Sequence, residues 1–261
     1  MKQRFPLSRF FMTFCLLFLL AFFGKAPLDV HAANELRVAV LQNYPPFSYL
    51  DEQGNLVGFD VEFSAALCGQ LHARCRTVAL PLSAIISAMS SQSLDMAVAG
   101  LGVTEERKRI MLFSNSYYRS HSLYIGRPGI RLDEKGLEGK ILAAQHNSMQ
   151  LIALRRIWKG KAVVVGFESH QSLLEALARD RVDVVLIDGF PGMNFLKSPE
   201  GAGFVMLGNP VLPRENPSGS CVTVSKEHPE LVERVNQAIL TLRVTGEYER
   251  IMRKYFSFSI Y

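Results

Sequence analysis

Asp95-Met-Ala-Val-Ala-Gly-Leu-Gly-Val-Thr-Glu-Glu-Arg107 is the stretch whose reading decides the fold. Residues 95–99 are mostly apolar and predict a short buried strand. Ala99, Gly100 and Gly102 then leave the backbone almost bare, so a ligand has close access to its N–H and C=O groups. Thr104 is a good helix N-cap, and Glu105 and Glu106 suit the first turn after it. Arg107 projects from that turn beside the glycines, where its planar fork suits a carboxylate. The same residues also read as an ordinary strand-to-helix turn leading into a solvated basic patch, Arg107-Lys108-Arg109.

Upstream, residues 36–41 predict a first strand, broken by Asn43-Tyr44-Pro45-Pro46-Phe47 because neither proline can donate to a ladder. Tyr44 beside that rigid break reads as a binding platform or as a lid on the core. Residues 49–56 look like a hairpin turn. A helix opens at Gly58-Phe59-Asp60 and runs to Leu71, with Val61, Ala65, Leu67 and Leu71 expected on its buried face. Residues 76–80 predict a strand and residues 83–90 a helix, with Leu82 at its entrance. Strands alternating with helices argue a parallel α/β sheet, where ligands collect at the carboxyl ends of strands; Tyr44, Leu82 and Gly100 fall there.

Downstream, a similar unit follows. Residues 139–144 predict a strand ending in Gln145-His146-Asn147-Ser148. Asn147 tolerates a left-handed turn, and Ser148 can cap a helix running to Trp158. A strand over 163–167, a helix over 172–179 and a strand over 182–187 come next, with Asp188 at the last strand's carboxyl end. Residues 204–207 add a short strand, and residues 210–217 a proline-rich connector to a strand over 220–224. A long helix then places Leu231, Val235, Ala238 and Leu242 on one stripe, and a last amphipathic segment covers 248–256. Two α/β lobes crossed twice by connectors leave a cleft between them.

The first 32 of 261 residues read as a cleavable export signal. Lys2, Arg4 and Arg9 precede an apolar run over 10–23 that ends near Val30-His31-Ala32, and the run is too short for a comfortable membrane span. No lipid-attachment cysteine is recognised at Cys15. Removing four basic and one acidic residue takes the formal charge from +5 to +2, which gives little support to nucleic-acid binding. No phosphate loop, metal spacing or cofactor motif is present in the sequence. In an exported chain Cys68 and Cys75 can pair where the helix end turns into the next strand, leaving Cys221 as a buried thiol.

Taken together, these segments resemble the family-3 solute-binding proteins of polar amino-acid ABC transporters, over nearly all of the mature chain. Tyr44-Pro-Pro-Phe47 with Leu56-Val-Gly-Phe-Asp60 looks like the family's opening, and residues 95–107 like its ligand loop. Arg181-Val-Asp-Val-Val-Leu-Ile-Asp188 is similar to its second-lobe strand, and residues 245–256 to its close. Cys68 and Cys75 lie where histidine and lysine/arginine/ornithine binders carry a disulfide.

The resemblance implies a two-lobed, type II periplasmic-binding-protein fold with a two-stranded hinge. Residues 33–118 and 210–261 would form lobe 1, and residues 119–209 lobe 2. It further implies a monomer that binds a small amino acid or related carboxylate in the periplasm and delivers it to an ABC permease, with no cofactor. Arg107 would clamp the α-carboxylate with backbone N–H groups of Gly102 and Met149. Asp188 and the Gly100 carbonyl, next to Ala99, would accept from the α-ammonium. Tyr44 and Leu82 would sandwich the side chain, Ser148 would add a hydroxyl, and Gln145 would read the side chain.

The sequence departs from the pattern at several points. Gly102 stands where the family usually has Ser or Thr, and His146-Asn147 replaces a common small-residue-Gly pair. Met149 replaces a common Thr, and Leu41 a residue that is acidic in binders of basic amino acids, which argues against Lys or Arg as ligand. Two rival functions share the scaffold: a cyclohexadienyl (prephenate or arogenate) dehydratase-like enzyme using Asp188 or Glu168 as general acid, and a stand-alone ligand sensor.

Overall fold

The computed structural model describes residues 35–211 and 219–261. The expected signal at residues 1–32 and the connector beyond Val211 lie outside the described residues. Two five-stranded sheets dominate. In the first, the order is β4 (Cys75–Leu80), β1 (Leu36–Leu41), β5 (Met96–Leu101), β12 (Ser220–Val224) and β6 (Leu112–Tyr118). Strands β4, β1 and β5 are parallel, while β12 runs antiparallel to both its neighbours. In the second, the order is β11 (Val205–Val211), β7 (Ser122–Gly126), β10 (Val184–Asp188), β8 (Ile141–Gln145) and β9 (Val163–Phe167). Here β10, β8 and β9 are parallel, and β7 is antiparallel to β10 and β11. Both sheets are therefore mixed, each a parallel group with antiparallel additions. A small hairpin pairs β2 (Tyr49–Leu50) with β3 (Leu56–Val57).

Eight α-helices cover the sheets among the described residues: α1 (Phe59–Gln70), α2 (Leu82–Ser90), α3 (Glu105–Lys108), α4 (Met149–Ile157), α5 (His170–Ala178), α6 (Gly189–Lys197), α7 (Glu230–Val244) and α8 (Glu247–Tyr255). The expected stripe on α7 is buried in full: Leu231, Val235, Ala238 and Leu242 all face the core. On α1 the expected face holds at Leu67 and Leu71, which are buried, and is turned in the helix's first half. Phe59, Phe63 and Leu67 are buried, whereas Val61 is half-buried and Ala65 exposed. The rings decide it: Phe63 stacks on Tyr117 at 4.8 Å and meets Tyr248 edge-on at 5.8 Å. Residues two positions along a helix from that stripe point the other way.

Three elements were not read from the sequence pattern: β6, β7 and α6. Strand β7 follows directly on β6 with three residues between, and α6 begins Gly-Phe-Pro-Gly, which reads as a break. The helix forms because the Asp188 carboxylate caps it and Pro191 sits in the first turn, where a missing N–H costs nothing.

The first sheet's core is one continuous cluster that includes Phe47, Phe59, Phe63, Tyr117, Tyr248 and Phe256. The second sheet buries two clusters, one on each face. Leu123, Ile125, Val185 and Ile187 belong to one, and Tyr124, Val184 and Leu186 to the other, following the two-residue period of a strand. Cys68 and Cys75 form a disulfide between the end of α1 and the start of β4. Cys221 is a buried free thiol, and burial pushes it up to about 11.

Candidate functional site

The carboxyl ends of the parallel strands in both sheets converge on one cavity. From the first sheet, β5 runs two residues further than expected, to Leu101, and Gly100 lies inside it with φ +62. That left-handed conformation is open to glycine at no steric cost, and a Cβ here would collide with the Tyr118 hydroxyl. The register shift between Cys221 and Thr223 of β12 accommodates the extra β5 residues as a bulge. The Gly100 N–H donates to the Tyr117 hydroxyl at 3.0 Å, and that hydroxyl donates to Asp60 Oδ1 at 2.9 Å. Asp60 is fully buried, and burial holds its carboxyl well above the usual carboxylate range. The Ser220 hydroxyl donates to the Gly100 carbonyl at 3.3 Å.

Thr104 caps α3 as expected, accepting from the Arg107 N–H at 3.0 Å. That cap fixes the first turn and turns the Arg107 side chain inward, where it is 6% exposed. Its Nη1 donates to the Gly102 carbonyl at 2.8 Å and its Nη2 to the Asn147 carbonyl at 2.7 Å. The guanidinium therefore bridges the two sheets' loops. Burial lowers its pKa to about 10, so it stays charged at neutral pH. The basic-patch reading of Arg107 does not survive this burial, although Lys108 and Arg109 are exposed.

From the second sheet, Asn147 adopts φ 59, the left-handed turn read from the sequence. Ser148 caps α4: its hydroxyl accepts from the Leu151 N–H at 3.1 Å and donates to the Gln145 carbonyl at 2.7 Å. Met149 is the first helical residue, so its N–H lies at the positive end of the helix. The Gln145 amide donates to the Glu168 carbonyl at 3.1 Å, tying the ends of β8 and β9 together.

Asp188 ends β10 and caps α6, accepting from the Phe190 N–H at 3.2 Å and the Ser120 hydroxyl at 2.9 Å. Burial raises its pKa to about 6, against the pull of the Phe190 N–H, the Ser120 hydroxyl and the Tyr44 hydroxyl. Tyr44 is 4% exposed, stacked on Phe47 at 5.0 Å and tilted against His170 at 5.2 Å. It thus lines the cavity and covers the core at once.

Tyr44, Leu82, Ala99, Gly100, Gly102, Arg107, Gln145, Ser148, Met149 and Asp188 all line this one cavity. Its volume is about 70 Å³, where a single water needs roughly 10–15 Å³ on the same measure, so there is room for a small ligand. The lining also takes in Ser120, Ser122, Gln150, His170 and Ser220, which sequence reasoning missed. Ser120 belongs to the segment crossing from β6 to β7 and Ser220 opens β12; neither carries a motif. His170 lies three residues past the carboxyl end of β9, and the strand-end rule applied there would have found it. Among the described residues no cluster of three or more His, Cys, Asp or Glu suits a metal ion.

The family described as bacterial extracellular solute-binding proteins, family 3, matches residues 36–258. The lysine/arginine/ornithine-binding periplasmic protein of Escherichia coli is 29% identical over 231 residues, covering 87% of this chain and 89% of that protein. The L-arginine-binding protein of Pseudomonas aeruginosa is 30% identical over 240 residues, covering 90% of this chain and 93% of its own. Among solved structures, an ancestral arginine-binding protein bound to arginine superposes with a TM-score of 0.77 at 28% identity, covering 85% of this chain and 98% of that one.

Proposed function

The chain belongs to the bacterial extracellular solute-binding proteins of family 3, and on that footing we propose that its cleft binds a small amino acid for delivery to an ABC permease. The observation that carries this reading is the charge arrangement. One cavity holds a buried guanidinium, Arg107, and a half-buried carboxylate, Asp188. A zwitterion with carboxylate and ammonium on one carbon answers both.

Arg107 has five N–H donors and gives two to backbone carbonyls, so a carboxylate can be held by the rest. The N–H groups of Gly102 and Met149 would add donors, the latter at a helix N-terminus. Asp188 and the Gly100 carbonyl, both lining the cavity, would receive the ammonium. Tyr44 and Leu82 would flank the side chain, and Ser148 and Gln145 would supply polar contacts.

The lobes divide as residues 33–118 with 210–261, and residues 119–209. Support comes from the sheets, whose strands follow that division except that β11 reaches Val211. The ligand would enter an open form, and closure of the lobes would bring Asn147 onto Arg107 and expel water, strengthening each charge pair. The protein would act as a monomer in the periplasm, exported by a signal cleaved near Ala32. The dehydratase reading is set aside, because the matched relatives carry the names of binding proteins.

Thermal unfolding with and without each common amino acid tests the reading, after partial denaturation and dialysis strip any bound ligand. A ligand at about a hundred times its Kd stabilises by ~2.7 kcal/mol, enough to raise Tm by a few degrees. A shift with one or a few amino acids is expected. No shift with any of them, at millimolar concentration, would reject amino-acid binding.

A further inference from the structure

We infer that His170 is a specificity-determining residue: with Tyr44 it walls off the inner cavity from an outer groove, and so restricts the ligand to an amino acid with a compact, uncharged side chain. This rests on the amino-acid reading and names which amino acids it admits.

The first observation is the wall itself. A second cavity of about 520 Å³ lies outside the first, and among the described residues His170 lines both. The preceding segment alternates across the same boundary: Leu41 and Tyr44 line the inner cavity, while Asn43 and Pro45 line the outer one. The Tyr44 and His170 rings meet at 5.2 Å, so they close the gap between the two spaces. His170 is fixed in place by its neighbours. It is the first residue of α5, held by a reciprocal cap in which the Ser169 hydroxyl accepts from the Ser172 N–H at 3.1 Å and the Ser169 N–H donates to the Ser172 hydroxyl at 3.2 Å.

The second observation is the charge count. Among the described residues lining the inner cavity, Arg107 and Asp188 are the only ones that carry a full charge. Both are engaged by the α-carboxylate and α-ammonium of any amino acid. A cationic side chain would then be buried against Leu41, Tyr44, Leu82 and the His170 ring without a counter-charge, and an anionic one would meet no further cation. Burial lowers the His170 imidazole to about 4, so the ring is neutral where the protein works. What the lining does offer a side chain is neutral: the Gln145 and Gln150 amides, the Tyr44 face and the His170 ring. The matched relatives are named for arginine and for lysine, arginine and ornithine, so the inference separates this chain from them.

Calorimetric titration of the ligand-stripped protein decides it, with glutamine, asparagine, leucine and phenylalanine against arginine, lysine, ornithine and glutamate. Wild type should bind at least one uncharged amino acid ten or more times more tightly than any charged one. His170→Asp places a carboxylate on the wall and should raise the affinity for arginine relative to the preferred uncharged ligand at least tenfold. His170→Ala joins the two cavities and should raise the affinity of long side chains relative to short ones. Leu41→Asp, elsewhere in the same lining, serves as the second carboxylate variant if His170→Asp does not fold. Wild type binding arginine as tightly as any uncharged amino acid would overturn the inference and leave amino-acid binding standing. The same holds if a folded carboxylate variant keeps the wild-type preference. No binding of any amino acid by wild type would sink both.

Discussion

The two loops that meet at Arg107 are held by opposite means. The loop from Gly100 to Arg107 is positioned from below, by partners far away in the chain. Gly100 rests on Tyr117, Tyr117 on Asp60, and Ser220 reaches back to the Gly100 carbonyl. The loop from Gln145 to Met149 is positioned mostly from within, with two further bonds to the neighbouring strand end, from the Gln145 amide to the Glu168 carbonyl and from the His146 N–H to the Phe167 carbonyl. Ser148 bonds to Gln145 three residues before it and to Leu151 three residues after, and Asn147 supplies the turn through its own left-handed backbone. The cores repeat the contrast, one continuous aromatic cluster under the first loop and two smaller clusters either side of the sheet under the second. A loop held from within keeps its shape wherever its lobe moves. A loop held from below depends on packing and buried polar groups that must all be satisfied at once.

The sharpest way to break the comparison is at the contact itself. Arg107→Ala should reduce amino-acid affinity by about thirtyfold or more, since losing one partner of a buried charge pair costs about 2–5 kcal/mol. The fold should persist, because the guanidinium lies at a cleft and its partners are backbone carbonyls that water can reach once it is gone. Titration and Tm together check this, and loss of folding would make Arg107 a structural residue of the first loop.

Asp188→Asn should come next, at about tenfold or more in affinity. The pH dependence has a definite sign. With a folded value near 6 against an ordinary 3.8, the folded chain keeps a proton that the unfolded chain has lost between those values, so stability falls as pH rises across that range. Asn removes that cost and still caps α6, so the variant should be more stable at pH 7 by on the order of 2–3 kcal/mol. Binding an ammonium favours the ionised form, so wild-type affinity should be full above pH 6 and fall about tenfold per unit below it. The variant should lose that slope. A wild-type affinity flat from pH 4.5 to 7.5 would show that Asp188 does not face the ammonium.

Local signals made the second loop legible in the sequence, and the first only in part. Asn147, Ser148 and Thr104 act through partners within four residues, and a capping or turn residue names its own partners. Strand ends placed Tyr44, Leu82, Gly100 and Asp188 at the cavity for the same reason, since the α/β pattern alone sends ligands there. What stayed hidden was non-local. The Asp60–Tyr117–Gly100 chain joins residues 57 and 17 positions apart, and nothing in either neighbourhood marks them. The turned face of α1 has the same origin, because Tyr117 and Tyr248 chose which stripe to bury. Strand β7 was hidden by its closeness to β6, and α6 by glycines and a proline that a capping carboxylate overrides.

The smallest effects test the contrast most directly. Tyr117→Phe removes the acceptor for the Gly100 N–H and the donor to Asp60 together, and a buried polar group left unsatisfied costs about 1–3 kcal/mol. Because the damage is spread through a packed core, both Tm and affinity should fall. Ser148→Ala removes one helix cap, worth typically ~1 kcal/mol, and its effect should stay near the Gln145 turn. Hydrogen exchange separates the two: Tyr117→Phe should speed exchange not only in its own strand β6 but also in β5, a strand apart from the substitution in sequence, while Ser148→Ala should speed only the first turn of α4. If Ser148→Ala loosened β8 and β9 as widely as Tyr117→Phe loosens the first sheet, the second loop would be as dependent on its surroundings as the first, and the distinction between them would fall.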